Sequence, residues 1–339
     1  MNSEKPVYQW IWPRTGGTAT HEGLDSEIFD TERCPLAVTF VRETIQNVLD
    51  ARKDKNSPVV VNFKFCQGEQ DKAIPILDAV KQNREACDIS WPPSINSEPL
   101  RWLLVEDENT TGLEGDISRR GDNFWGYWLN FGRSNKPGES RGGRGIGRVT
   151  FLLASEIQTV IGVTQREGDQ APICCGMSVL KSGNYKPENG KDVWRGAYAY
   201  LAAAEKGDVY SLHGTETTKS IVKTFGMRLS FEKKDTGFSL AIPFPRQELT
   251  ADRITAAAIE NFAPAILNGT LKVVVNEVEL EASSLPNIAE RVRESFLQGG
   301  LKDDPKGLLK ILESSAMGCL LYTSPSPRDL STSRMPSSA

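Results

Sequence analysis

The stretch Arg42-Glu43-Thr44-Ile45-Gln46-Asn47-Val48-Leu49-Asp50-Ala51-Arg52 places three polar residues, Glu43, Asn47 and Asp50, at i, i+4 and i+7. On a helix these share one face, while Ile45, Val48 and Leu49 point elsewhere. The surrounding sequence predicts that helix over Pro35–Asp54. Proline stands in the first turn, Leu36, Val41, Ile45, Val48 and Leu49 recur at helical spacing, no glycine interrupts, and Pro58 follows. A carboxamide and a carboxylate one turn apart suit a hard cation and a base that orients water: Asn47 as an oxygen ligand for Mg²⁺, Glu43 as the base. A solvated helix face has the same pattern.

Outward from this helix the pattern alternates between strands and helices. Strands are predicted at Val59–Phe65, Arg101–Asp107, within IQTVIGVT after residue 156, at 227–234 and at 238–244, the last two split by an Asp-Thr-Gly turn. Helices are predicted at Ala73–Arg84, through VTFLLASE after Gly147, at Leu249–Leu267 and at Asn287–Gln298, with a strand pair over Leu271–Ala282. The expected class is α+β, with residues 1–34 as an N-terminal strap, a main domain over 35–246, and a partial second domain over 247–317. Leu113–Arg141 lacks periodicity and reads as a functional loop or lid. Its aromatic residues Phe124, Trp125, Tyr127, Trp128 and Phe131 read as packing that closes the loop onto the body. The Ser- and Pro-rich residues 318–339 are expected to be disordered. The run from Cys319 to Ala339 also looks like translated sequencing-adapter DNA, so the natural protein is expected to be longer.

Two further features carry chemistry. Glu106-Asp107-Glu108-Asn109-Thr110-Thr111-Gly112-Leu113 follows the apolar strand directly. An aspartate at a strand end, followed by residues that tolerate positive φ, can hold a carboxylate where an amino group would meet it; a plain turn has the same composition. Arg141-Gly142-Gly143-Arg144-Gly145-Ile146-Gly147-Arg148 precedes an apolar helical run, so backbone N–H groups and a helix start can face an anion. A flexible hinge is the alternative there. A dinucleotide-binding loop fits less well, because that motif follows a strand and this one follows a long polar loop.

Composition narrows the classes. The 339 residues are 39% hydrophobic and 25% charged, ordinary globular usage that makes wholesale disorder a poor reading. Six scattered cysteines without a CxxC pair disfavour zinc, and Cys174-Cys175 reads as small core residues. Two histidines, His21 and His213, leave few bases for serine- or cysteine-nucleophile chemistry. No apolar run is long enough for a membrane span and no signal peptide is evident, so a cytoplasmic address is expected. The net charge of −4 predicts no general affinity for nucleic acid or anionic membrane. Locally, Arg119, Arg120, Arg133, Lys136, Arg141, Arg144 and Arg148 face only Asp122 and Glu139, an excess that should attract phosphate.

Taken in this order, the three features resemble the nucleotide-binding boxes of the GHKL ATPases, the superfamily of DNA gyrase B, the ninety-kilodalton heat-shock chaperones, histidine kinases, MutL and MORC proteins. The resemblance covers about residues 25–246. It implies a two-layer α/β sandwich of the Bergerat type, a mixed sheet covered by helices. RETIQNVLDAR resembles the ExxxNxxDA box, which implies Glu43 as general base, Asn47 as Mg²⁺ ligand and Asp50 as a pocket residue. EDENTTGL resembles the DxGxG box, which makes Asp107 the reader of the adenine amino group, with Asn109, Gly112 and Leu113 beside it. GGRGIG resembles the GxxGxG box, with Gly142, Gly143, Arg144, Gly145, Ile146 and Gly147 around the phosphates.

The chain departs from this pattern in two places. Asn109 stands where a glycine is usual, the next glycine being displaced to Gly112. The late Gly-Thr box is best matched by Thr236-Gly237-Phe238-Ser239, with His213-Gly214-Thr215 as the alternative. The resemblance further implies ATP and Mg²⁺ as cofactors, hydrolysis as the activity, a homodimer on ATP binding, and a switch that serves nucleic-acid-processing or phage-defence partners. A non-hydrolysing nucleotide sensor and a protein histidine kinase are the alternatives, the latter disfavoured because only His21 precedes Glu43.

Overall fold

The computed structural model describes residues 8–14, 35–68, 70–92, 99–116, 122, 124, 128, 146–185, 193–205, 208–229, 235–297 and 299–317. The strands are β1 (Trp10–Ile11), β2 (Val59–Gly68), β3 (Leu100–Glu108), β4 (Thr159–Gln165), β5 (Ile173–Val179), β6 (Gly183–Tyr185), β7 (Val193–Arg195), β8 (Tyr198–Leu201), β9 (Ala203–Glu205), β10 (Asp208–Tyr210), β11 (Leu212–His213), β12 (Gly237–Pro243), β13 (Leu271–Val275) and β14 (Val278–Leu280). The helices are α1 (Leu36–Asp50), α2 (Gln70–Ala86), α3 (Ile146–Leu153), α4 (Glu216–Phe225), α5 (Ala251–Leu267), α6 (Leu285–Arg291), α7 (Gly299–Asp303) and α8 (Pro305–Met317).

Ten strands form one sheet in the order β1-β8-β5-β4-β12-β3-β2-β13-β14, with β11 also paired to β5. Every pairing is antiparallel except β13 on β2, so the sheet is mixed. The class is α+β, as the element order predicts.

Alternation along the strands decides which helices each face receives. Val59, Val61 and Phe63 of β2, Leu103 and Val105 of β3, and Leu240 and Ile242 of β12 pack under α1, α3 and α5. Phe40 of α1 is fully buried, 6.0 Å ring to ring from Phe63 and 5.7 Å edge-on from Phe151, which fixes α1 to the sheet and α3 to α1. Trp102 and Leu104 of β3, with Ile161 and Val163 of β4, turn to the opposite face and meet Ile76, Leu77 and Val80 of α2 and Ile221 and Phe225 of α4. Two indoles anchor that layer: Trp102 donates to the Phe225 carbonyl at 3.1 Å and Trp10 to the Ile76 carbonyl at 2.7 Å.

Several expected boundaries move, each for a tertiary reason. The first helix stops at Asp50, not Asp54, because the next residues are captured by the loop after β3: Thr111 donates to the Ala51 carbonyl at 2.9 Å and Arg52 bridges to Thr110. Met227–Leu229, expected to begin a strand, lie outside the sheet, and Arg228 reaches instead into the ends of β3 and β12; residues 230–234 fall outside the described set. The helix expected over Asn287–Gln298 is α6 followed by a 3₁₀ turn at Arg293–Ser295, its start drawn back to Leu285 by a turn in which Leu285 donates to Glu281.

Beyond residue 247, where a second unit is expected to begin, α5 packs on α1 and β13 extends the same sheet along β2. The Asn276 carboxamide at the β13–β14 turn accepts from the Phe65 N–H at 3.0 Å, and Leu285, Ile288 and Phe296 share the core of α1.

Candidate functional site

β3 delivers Asp107 to its own C-terminal end, one residue before the sheet gives way to the 109–115 loop. Its side chain is only 7% exposed. Oδ1 accepts from the Thr110 hydroxyl at 2.7 Å and from the Phe238 N–H at 2.8 Å, while Oδ2 accepts no hydrogen bond among the described residues. Burial pushes the Asp107 carboxyl up to about 6 from an ordinary 3.8, against the opposing pull of those two donors and of Arg228. One oxygen is thus fixed and the other left for a donor. That division suits a ligand amino group.

The floor under this carboxylate is made by residues distant in sequence. Thr236 donates its hydroxyl to the Thr110 carbonyl at 2.6 Å, and Thr164 of β4 donates to the Gly237 carbonyl at 3.1 Å while accepting the Leu113 N–H at 2.8 Å. Gly237 has φ of 146°, and a Cβ there would lie 2.7 Å from Asp107 Oδ1. Gly112 has φ of 74°, and a Cβ there would lie 2.7 Å from the Gln165 carbonyl. The 236–239 segment therefore adjoins Asp107. Thr215, in the rival His213-Gly214-Thr215 segment, instead caps α4 by accepting from the Thr218 N–H at 3.1 Å.

Asn109, placed beside the adenine reader by resemblance, is occupied elsewhere. Its Nδ2 donates to the carbonyls of Asp54, Ser57 and Pro58 at 2.9, 3.0 and 3.1 Å, and its Oδ1 accepts from the Asp54 N–H at 3.0 Å. Its φ of 59° explains why a residue that tolerates left-handed backbone stands there. This side chain holds the α1–β2 connection against the end of β3.

Contacts of the same loop with Ala51 and Lys53 tie the C-terminal end of α1 to the end of β3. Glu43 is half-buried and Asn47 and Asp50 are exposed along one side of α1, while Thr44, Ile45 and Val48 point into the core. Ile146 and Gly147 open α3, which packs on α1, with Phe151 against Phe40. Gly142, Gly143, Arg144 and Gly145 lie outside the described residues, as do His21, Cys34 and Cys319. Of the aromatic residues between 113 and 141, Phe124 and Trp128 are each 2% exposed within the α1-side core, with Trp128 6.4 Å edge-on from Phe238. A Cβ on Gly162 would lie 2.7 Å from the Trp128 ring. Trp125, Tyr127 and Phe131 lie outside the described residues.

Beside the loop lies an open cavity of about 360 Å³ lined by Lys53, Thr111, Glu114, Gly115, Arg166, Glu167 and Asp169. Two ion pairs line it, Lys53 with Glu167 at 3.3 Å and Arg166 with Asp169 at 2.9 Å. Three contributors to the Asp107 environment carry no sequence signal: Thr164, Arg228 and Glu106. Glu106 Oε1 accepts both the Arg228 N–H at 2.7 Å and the Ser239 hydroxyl at 2.6 Å.

No family model matches the chain and no curated protein matches it. Among solved structures it is similar to the ATPase region of Saccharomyces cerevisiae topoisomerase II, with 9% identity and a TM-score of 0.36 over 81% of this chain and 55% of that one. It is also similar to the ATPase and transducer domains of DNA topoisomerase II from Balamuthia mandrillaris, with 13% identity and a TM-score of 0.36 over 78% of this chain and 55% of that one. The chain spans a little over half the length of these structures. At such identities no residue role passes from them to this chain. Among the described residues no helix is long and apolar enough to cross a membrane.

Proposed function

We propose that this chain binds ATP between α1 and the end of β3, with Mg²⁺, and hydrolyses it slowly as a conformational switch. The observation that carries the reading is Asp107. It is a buried carboxylate with one oxygen locked by Thr110 and Phe238 and the other accepting no hydrogen bond among the described residues, at a strand end tied by hydrogen bonds to the end of a helix that carries Glu43, Asn47 and Asp50 on one side.

The donor set fits the group. Asn47 offers an exposed carboxamide oxygen of the kind a hard cation takes, and Glu43 offers a carboxylate one turn away. When bound, Mg²⁺ would neutralise phosphate charge that builds up in phosphoryl transfer. Glu43 orients and deprotonates water, Asp107 accepts from the adenine amino group, and Asp50 supports the pocket edge. Through the resemblance, Gly142 to Gly147 are assigned to the phosphates. The fixed Asp107 oxygen makes the other a directional acceptor, which selects an amino purine over an oxo purine.

Association of two copies on ATP binding, and service to a nucleic-acid-processing system, belong to the same proposal through the resemblance. Phosphate release from Mg-ATP by the full chain tests the activity. Turnover is expected to fall by about 10² or more in Glu43→Ala with nucleotide binding kept. Turnover that survives the substitution removes Glu43 from the role.

A further inference from the structure

Arg228 enters the site from the segment after α4, 121 residues away from Asp107 in sequence. Its backbone N–H donates to Glu106 Oε1, and its Nη2 donates both to the backbone carbonyl of Asp107 and, at 3.3 Å, to that of Thr236. The guanidinium thus ties β3 to the start of β12 immediately beneath the carboxylate. Space for it exists because residue 237 has no side chain: a Cβ at Gly237 would stand 2.6 Å from Arg228 Nη2.

We infer that Arg228 is a positioning residue of the Asp107 site, holding the two strand ends so that Oδ1 stays locked to Phe238 and Oδ2 stays presented to the amino group of a purine. This rests on the nucleotide reading of the site. The planar fork of arginine matters here, because one guanidinium nitrogen spans two carbonyls while the charge stays fixed beside the acid. The charged groups that act on Asp107 are Arg228, which favours its ionised form, and Glu106, which opposes it. Asp235, 3.7 Å from Arg228 Nη1, shares the guanidinium charge from the solvent side.

The test follows the Asp107 carboxyl by carbon-13 NMR across pH 4 to 8 in the full chain, assigned by its loss in Asp107→Asn, and measures ATP and inosine triphosphate binding to the same samples. In Arg228→Met the Asp107 midpoint is expected to rise from about 6. ATP affinity at pH 7 should drop about tenfold, and the preference for ATP over the 6-oxo nucleotide should shrink. Arg228→Lys, which keeps the charge but not the fork, should restore the midpoint and only part of the preference.

An unmoved midpoint in a folded Arg228→Met chain overturns the assignment whatever ATP does. If the Met variant does not fold, a wild-type nucleotide preference in Arg228→Lys overturns it. Unchanged ATP affinity in Asp107→Asn overturns the nucleotide reading itself, and the positioning role with it.

Discussion

The Phe238 N–H donates to Asp107 Oδ1 at 2.8 Å, joining the first residues of one central strand to the last residues of its neighbour. A main-chain donor cannot rotate away, so the carboxylate is aimed by the sheet itself. The Thr110 hydroxyl reaches the same oxygen and Gly237 clears the space around it. The cost of this aim is burial of an acid, and it has a measurable sign.

Burial raises the folded-state Asp107 carboxyl to about 6 from 3.8, so the folded chain holds this proton more tightly than the unfolded chain. Its contribution to stability is therefore favourable at low pH, declines between about pH 4 and 6, and is flat above. Asp107→Asn keeps an oxygen acceptor for Thr110 and Phe238 and removes the charge. Urea unfolding at pH 7.5 is expected to show the variant more stable by on the order of 2 kcal/mol, with the gain vanishing near pH 4. A variant less stable at pH 7.5 would show that the carboxylate is stabilised by more than these contacts.

Asn109 combines left-handed backbone with four hydrogen bonds to residues 54–58. Asn109→Ala loses both advantages, and a stability loss of about 2 to 4 kcal/mol is expected. Asn109→Gly keeps the backbone freedom and should lose less. Equal melting temperatures for the two would show that the φ angle contributes nothing.

A methyl at residue 237 meets the Arg228 guanidinium and the Asp107 carboxylate together. Gly237→Ala should therefore cost about 1 to 3 kcal/mol and weaken nucleotide binding in the molecules that fold. Crystallography or NMR of the variant should show Arg228 displaced from the Asp107 carbonyl. An undisturbed Arg228 would mean that β12 shifts instead.

Much of the fold was legible because it is written in local pattern: the helical spacing of Leu36 to Leu49, the β-branched run of Val59 to Phe65 and the Ala-rich Leu249–Leu267 all lie where elements form. What failed was decided by contacts remote in sequence. Nothing in Ala51-Arg52-Lys53-Asp54 says that Thr111 will take the Ala51 carbonyl and end the helix. Asn109 has the letter of a ligand and the bonds of a staple. Arg228 reads as part of a strand because its neighbours are apolar, yet its Nη2 donates to the main-chain carbonyls of Asp107 and Thr236, which no side-chain pattern encodes. The strand after Thr236 was legible in its apolar run, and β12 forms there, its Phe238 N–H meeting Asp107.

In the proposed function Asp107 receives the base of a Mg²⁺-bound adenine nucleotide. Calorimetric titration of the full chain with a non-hydrolysable ATP analogue, with and without Mg²⁺ and beside Asp107→Asn, tests it most directly. Magnesium-dependent binding that weakens at least about tenfold in the variant is expected. Absence of binding to the folded wild-type chain, or equal affinity in the variant, would contradict it.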